Sequence, residues 1–388
     1  MKKLVELHML QNFGPSNLNR DDTGSPKDAI FGGVRRARIS SQCLKRAMRT
    51  YFRASNLIGE GNLALRTKRI TQALVGKLEE LGRSAEEAER VVVAALGGVK
   101  LRVKDGKSEY LLFLGEQEVA RIARLVHEHW DTLLEAAKTE GDGEKKKSKE
   151  AKKAAKGAIP ADLARAIGEA LDGGKAVDVA LFGRMLADVP NLNRDAAAQV
   201  AHAISTHKVE REFDFYTAVD DLQPDDTSGA DMLGTVEFNS ACYYRYAVID
   251  IEKLVENLQG DKELALKGIE AFLQASVYAE PAGKQNTFAA HSLPCFIAFT
   301  VRQDASPRSL ANAFEKPTRA AKDGLTTASV QALAREWARM ETVFGQGGHT
   351  FFVNTTEARA PELPGQDVEN VRDLIGRTVQ HSAGLLEG

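Results

Sequence analysis

The residues in this chain best equipped for chemistry are cations, and they are bunched. Between Phe31 and Arg53 the sequence carries Arg35, Arg36, Arg38, Lys45, Arg46, Arg49 and Arg53 with no acid among them, although the formal net charge of the whole chain is −2. A row of cations with no neutralising neighbour in sequence suits a polyanion, above all a chain of phosphates. Leu44, Ala47, Met48 and Tyr51 fall at i, i+3, i+4 and i+7, the stripe by which an amphipathic helix packs on a core. Gln42, Lys45, Arg49 and Arg53 recur on another face. Ser40 and Ser41 stand where an N-cap belongs, so the backbone N–H groups and positive dipole end of that helix adjoin the cationic row. The same residues also make an ordinary solvated basic helix, and spacing alone leaves both readings open.

Two other groups invite chemistry. Asp21 and Asp22 form an acidic pair in a basic loop, as a metal-dependent nuclease would need, but Asp-Thr-Gly is also a common turn. No HExxH, Walker A loop, nucleophile elbow or Cys/His metal cluster accompanies them. A lone acidic pair meets few criteria for a catalytic site, so no catalysis, metal or cofactor is expected. His127 and His129 lie two apart on a helical pattern and point to different faces, which suits a structural or surface role. Cys43, Cys242 and Cys295 are far apart with no metal or redox spacing, as expected in a reducing compartment.

The elements that must position the basic run follow from pattern. With 388 residues, 43% of them hydrophobic, the chain can bury a full core as one domain with large insertions or as two domains. Its first residues show no secretory signal, and no membrane span is expected anywhere. Lys3 to Leu10 alternates as a strand, and 12–33 is rich in turn residues. Helices are predicted over Thr67 to Leu81, Ser84 to Leu96 with a Ser84/Glu87 capping box, Glu116 to Ala137, and Pro160 to Gly173. A hairpin is predicted near Val99 to Leu114. The lysine-rich run Glu144 to Lys156 cannot pack and reads as a mobile loop or solvated helix. Val177 to Met185 reads as a strand and Asp195 to His207 as a helix. Lys208 to Ser240 reads as a projection in which Phe213, Phe215 and Tyr216 sit among many acids. Strand Ala241 to Ile249, helix Leu264 to Ala279 and strand Pro294 to Arg302 complete a β-α-β-β-α-β order with the first strand and basic helix. The fold class is therefore α+β, ferredoxin-like, the arrangement of RNA-recognition modules. Helices Ser329 to Phe344 and Val368 to Leu386 follow.

Seven segments in order, LNRDD from Leu18, KDAIFGG from Lys27, RRARISSQCLKRAMR from Arg35, HAISTHKVEREFDFYTAVDDL from His202, LGTVEFNSACYYRYAVID from Leu233, GKQNTFAA from Gly283 and SLANAFEKP from Ser309, resemble the CasC family. That family supplies the repeated backbone subunit of Cascade, the type I-E CRISPR surveillance complex. The resemblance implies a palm (1–55, 177–207 and 241–388), a mostly helical fingers insertion (56–176) and a thumb β-hairpin (208–240). It implies that Arg20, Lys27, Ser40, Gln42, Lys45 and Arg49 hold phosphates of the guide RNA. Met185, Phe215, Tyr216, Thr217 and Val219 would wedge at a kink where one base per subunit is displaced, and Lys284 and Gln285 are weaker candidates. Position 49 is Arg; against a lysine there it keeps the charge and changes its geometry. The implied protein is a cytoplasmic, non-catalytic homo-oligomer within a multi-subunit complex. Its partners are the guide RNA and, through it, target DNA, with no membrane. A type III-like ribonuclease subunit and a free-standing single-stranded RNA-binding protein are the alternatives. The acids of the thumb, from Glu210 to Glu237, are expected either to meet basic groups of a neighbouring subunit or to solvate a loop.

Overall fold

The computed structural model describes residues 2–99, 101–143, 159–171, 174–185, 193–218, 232–345 and 347–387. In chain order its strands and helices begin with β1 (Lys3–Ser16), β2 (Asp28–Phe31), β3 (Val34–Ile39), α1 (Ser41–Ala54), β4 (Ala64–Thr67), α2 (Ile70–Glu80) and α3 (Ala85–Gly98). A small hairpin of β5 (Val103–Lys104) and β6 (Lys107–Ser108) precedes β7 (Leu112–Gly115), α4 (Glu116–Glu128) and α5 (Trp130–Gly143). Then come α6 (Ala161–Ala170), α7 (Val177–Phe182), β8 (Ala198–Val200), β9 (Ala203–Ser205), β10 (Glu212–Ala218) and the long β11 (Met232–Asp250). The chain closes with α8 (Ile251–Asn257), α9 (Lys262–Tyr278), α10 (Gln285–Phe288), β12 (Phe296–Gln303), α11 (Gly324–Phe344), β13 (Gly348–Asn354), β14 (Gln366–Asp367) and α12 (Val371–Glu387). The class is α+β, and the elements fall into two compact units.

The first unit comprises Met1–Ser55, Ala198–Glu252 and Ile269–Gly388. It is built on a mixed sheet of order β14-β13-β12-β1-β11-β9-β3-β2, to which β8 and β10 add through β11. β1 lies between two antiparallel neighbours, with Val5 opposite both Ile249 and Val301, and its side chains from Leu4 to Gln11 are buried on both faces. Alternation along the strands sorts them. Leu10, Tyr244, Phe296 and Ala298 pack on one face with Leu333 and Trp337 of α11. Phe13, Ala241 and Tyr243 pack on the other with Leu44 of α1 and Ala203 of β9. Both faces of this sheet are therefore covered. Beyond its core, β10 and the first half of β11 form a two-stranded antiparallel ribbon, from Glu212 opposite Phe238 to Ala218 opposite Met232.

The second unit, Asn56–Ala197 with Lys253–Gly268, is mostly helical. Its core joins Leu74 and Leu78 of α2, Val91 and Val92 of α3, Ile122 and Val126 of α4, Trp130 and Leu133 of α5, and Leu163 and Ile167 of α6. Ser84 caps α3 as predicted, its hydroxyl accepting from Glu87 N at 3.4 Å.

Three expectations about elements change. The helix predicted over Glu116 to Ala137 is two helices, parted at His129, which caps the first. Val177 to Met185 is not a strand: 177–182 is helical and almost wholly buried, with the Asp178 carboxylate accepting from Ala64 N at 2.9 Å. A short apolar run has no periodicity to separate the two states. Asp195 to His207 is not a helix; its alanines suit one, but Ala198–Val200 and Ala203–Ser205 pair with β11, and the sheet overrides local propensity. The run Glu144 to Lys156 lies outside the described residues.

Candidate nucleic-acid interface

The 17–27 loop is braced from inside. The Asn17 side-chain amide donates to Gly24 O (2.9 Å) and Glu237 O (2.8 Å), and Arg20 and Pro26 form an isolated antiparallel bridge. The Asp21 carboxylate accepts from Thr23 N (2.9 Å), Thr23 Oγ1 (2.7 Å) and Ser25 N (3.0 Å). The Thr23 hydroxyl bond holds its pKa below the usual carboxylate range. Asp21 is thus the organiser of a turn, and Asp22 beside it is exposed. The turn presents Arg20 at the surface and Lys27 half-buried.

This loop is fastened to the basic helix. The Asn19 carbonyl accepts from Lys27 N (2.8 Å) while its side-chain oxygen accepts from Ser40 N (2.8 Å). Ser40 caps α1, its hydroxyl accepting from Cys43 N at 3.3 Å. Leu44, Met48 and Phe52 are the buried stripe, so Tyr51 is at its edge and Phe52 within it. Gln42 is exposed and Lys45 and Arg49 are half-buried, Lys45 with a pKa lowered by that burial. Gly283 lies against the loop's other end: a Cβ there would sit 2.2 Å from Leu18 O. The GKQ segment therefore abuts the same loop, with Lys284 in left-handed conformation (φ 52°). The Gln285 side chain turns inward to the Pro281 and Ala290 carbonyls, at 3.1 Å each.

The arginines of β3 are a different matter. Arg36 is fully buried and donates to four carbonyls, Phe31 O (3.1 Å), Ser205 O (3.1 Å), Phe314 O (2.7 Å) and Glu315 O (3.1 Å). Arg35 pairs with Asp28, and Arg38 donates to Asp28 O at 3.0 Å. Asp28 also accepts from Arg211 (2.7 Å) at the ribbon's base. Burial raises the Asp28 pKa, but the bonds from Arg211 and Arg35 outweigh it and hold the carboxyl low.

On the ribbon, adjacent residues of a strand face opposite ways. Phe213 (65% exposed), Phe215 (64%) and Thr217 share one face. Tyr216 (43%) is on the other, its ring lying where a Cβ on the opposing Gly234 would stand. Phe215 and Tyr216 are thus not one wedge but the two sides of a blade. Met185, 80% exposed, belongs to the second unit and is described with it. Val219 lies outside the described residues.

Residues 5–380 match the CT1975-like protein family. The chain belongs to that family. It is similar to a chain of a solved structure described as a CRISPR RNA-guided surveillance complex, pre-nicking, with 33% identity over 98% of this chain and 100% of the other, at a TM-score of 0.83. A second, described as a CRISPR RNA-guided surveillance complex, aligns at 30% identity over 97% of this chain and 99% of the other, at a TM-score of 0.73. A comparison with curated proteins gives no match.

In this CT1975-like protein one residue beside the loop and helix was not singled out from sequence. His202 Nδ1 accepts from Ser41 N at 3.1 Å and faces Arg38 Nη1 at 3.4 Å. Burial first, then Arg38 and Lys27, push its pKa below the ordinary 6.5. Two donors on Nδ1 put the ring hydrogen on Nε2, so His202 is a neutral donor next to Lys27 and Ser40. The two histidines of HAISTH, His202 and His207, do not fall at a metal or catalytic spacing, so nothing in sequence marks His202. Arg20, Lys27, Ser40, Gln42, Lys45, Arg49, Lys284 and Gln285 all lie on the loop, the helix and the segment packed against them. Cations, a capped helix start and few exposed apolar groups suit binding of phosphates in a chain.

Proposed function

We propose that this chain is a non-catalytic backbone subunit of a Cascade complex of the type I-E kind, polymerising along a CRISPR guide RNA and holding it for pairing with target DNA. The observation that carries the reading is the bond between Asn19 and Ser40 N, which ties the Arg20–Lys27 loop to the start of α1 and so assembles the candidate phosphate contacts into one surface. Family membership and the likeness to chains of RNA-guided surveillance complexes support it. The neighbour order β12-β1-β11-β9 supports reading the first unit as an RNA-recognition-module-like palm. A subunit that grips backbone and leaves base edges unread serves any guide, and recognition of target passes to base pairing. No helix among the described residues is long and apolar enough to cross a membrane; a cytoplasmic site of action is part of the proposal.

The nuclease alternative rests on Asp21 and Asp22, and the Asp21 carboxylate already closes its own turn. The thumb acids are read as intersubunit partners, although Glu237 and Glu210 have partners within the chain, Arg211 (3.1 Å) and Lys208 (2.9 Å). The test is the size of the full-length protein with single-stranded RNAs of increasing length and unrelated sequence, with Mg²⁺ present. Oligomers that grow with RNA length, similar affinity for every sequence and intact RNA are expected. Binding restricted to one sequence, or cleavage abolished by Asp21→Asn or Asp22→Asn, overturns the reading.

A further inference from the structure

At the start of α1 the N–H groups of Ser40, Ser41 and Cys43 are already taken, by Asn19 Oδ1 (2.8 Å), His202 Nδ1 (3.1 Å) and the Ser40 hydroxyl (3.3 Å). Engaged N–H groups cannot also hold an anion, so a grip on phosphate at this helix start passes to the side chains that engage them. Of these, only the imidazole has a donor of its own to offer. His202 is held from both sides: Ala201 N donates to Tyr246 O at 3.0 Å, and Ala203, fully buried, pairs with Ile39 between β9 and β3. The residue is nonetheless exposed, and Arg38 Nη1 stands 3.4 Å from the same Nδ1, its own Nε tied to Asp28 O at 3.0 Å.

An imidazole that accepts at one nitrogen and carries its hydrogen on the other passes a donor through the ring. Here it receives the Ser41 N–H at the positive end of the α1 dipole and presents Nε2–H on the ring's far edge. Donors on Nδ1 polarise that N–H and strengthen it. Burial, then Arg38 and Lys27, keep the ring uncharged at neutral pH. We propose that His202 is a phosphate-binding residue, its Nε2–H carrying the donor of the α1 start outward to a phosphate oxygen of the bound single strand. This rests on the function proposed above. It adds to the cations a contact without net charge, which displaces no counterion, so its contribution persists as salt rises while those of Lys45 and Arg49 fade.

The test measures the affinity of the full-length protein for a short single-stranded RNA at several salt concentrations, near pH 7.5. His202→Asn sets its side-chain oxygen where Nδ1 stands and keeps the bond to Ser41 N without the outer donor. His202→Gln sets its side-chain amide where Nε2 stands and keeps the outer donor. His202→Asn should weaken binding about five-fold or more with a log-salt slope within about 0.2 of wild type, and His202→Gln should recover most of the loss. Lys45→Gln, the charged control, should flatten the slope by about 0.7. Both histidine substitutions fall on an exposed side chain, and urea unfolding checks that each protein is folded. Wild-type affinity in His202→Asn, or weaker binding by His202→Gln than by His202→Asn, shows that the ring serves the helix start alone and overturns the proposal. A slope flattened in His202→Asn as in Lys45→Gln also overturns it, since the contact would then be a cation's. Those outcomes leave the phosphate-gripping function standing, whereas absence of RNA binding by wild type removes that function itself.

Discussion

The acid-free run from Phe31 to Arg53 crosses two elements that treat their cations in opposite ways. On β3 the fold uses them: Arg36 is buried among four carbonyls, Arg35 pairs with Asp28 and Arg38 holds the Asp28 carbonyl. On α1 the buried positions are Leu44, Met48 and Phe52, and the cations remain half-buried or exposed. The period of the backbone makes the difference. A strand sends every second side chain inward whatever its charge, whereas a helix with an apolar stripe keeps its cations on the remaining arc. Charge density along a sequence therefore overstates a binding face wherever the chain is extended.

The contrast is broken most directly at Arg36. Arg36→Met leaves four carbonyls without their donor and should cost about 3 kcal/mol in urea unfolding, on the order of one to two unsatisfied buried groups after relaxation. Arg35→Ala on the same strand breaks only a surface pair and should cost roughly 0–1 kcal/mol; equal losses would show that β3 does not sort its arginines.

The same sorting applies to imidazoles. His8 is buried against Tyr244 and Trp337, and burial lowers its pKa to about 4. Between that value and the 6.5 of an unfolded chain the unfolded state binds more protons, so stability falls as pH falls. The loss should reach roughly 2 kcal/mol between pH 7 and pH 5, and His8→Gln should flatten it. An unchanged acid limb in the variant would place the titration elsewhere.

The largest effect on binding belongs to α1. Lys45→Glu with Arg49→Glu, both half-buried, should cost roughly 1 kcal/mol in unfolding. In RNA titrations the log-salt slope should flatten by about 0.7 per lost contact, alike for all sequences. Sequence-selective loss would show that these side chains read bases.

Much of this was legible beforehand where one local rule governs. Ser40 as a cap, Leu44 and Met48 as a stripe and Ser84 as a cap need only their own helices. The misread segments are those whose state is decided by distant partners: the alanines of 195–207 meet β11, and the apolar 177–182 run has no period to read. Phe215 and Tyr216 are named by resemblance alone, and strand alternation places these neighbours on opposite faces, with Phe213 joining Phe215. Arg36 and His202 were invisible because their partners, Ser205, Phe314 and Ser41, come from separate stretches of chain.

The packing on both faces of the sheet core has a consequence for any RNA the chain holds under the proposed function. RNA-recognition modules lay bases on an open sheet and thereby acquire preferences among them. Here α11, with Trp337 and Leu333, packs on one face of the sheet core and α1, with Leu44, on the other. On the function proposed above, bases would not lie on that core, so a chain built this way would place little constraint on the letters of a guide, and new guides would need no compensating change in it.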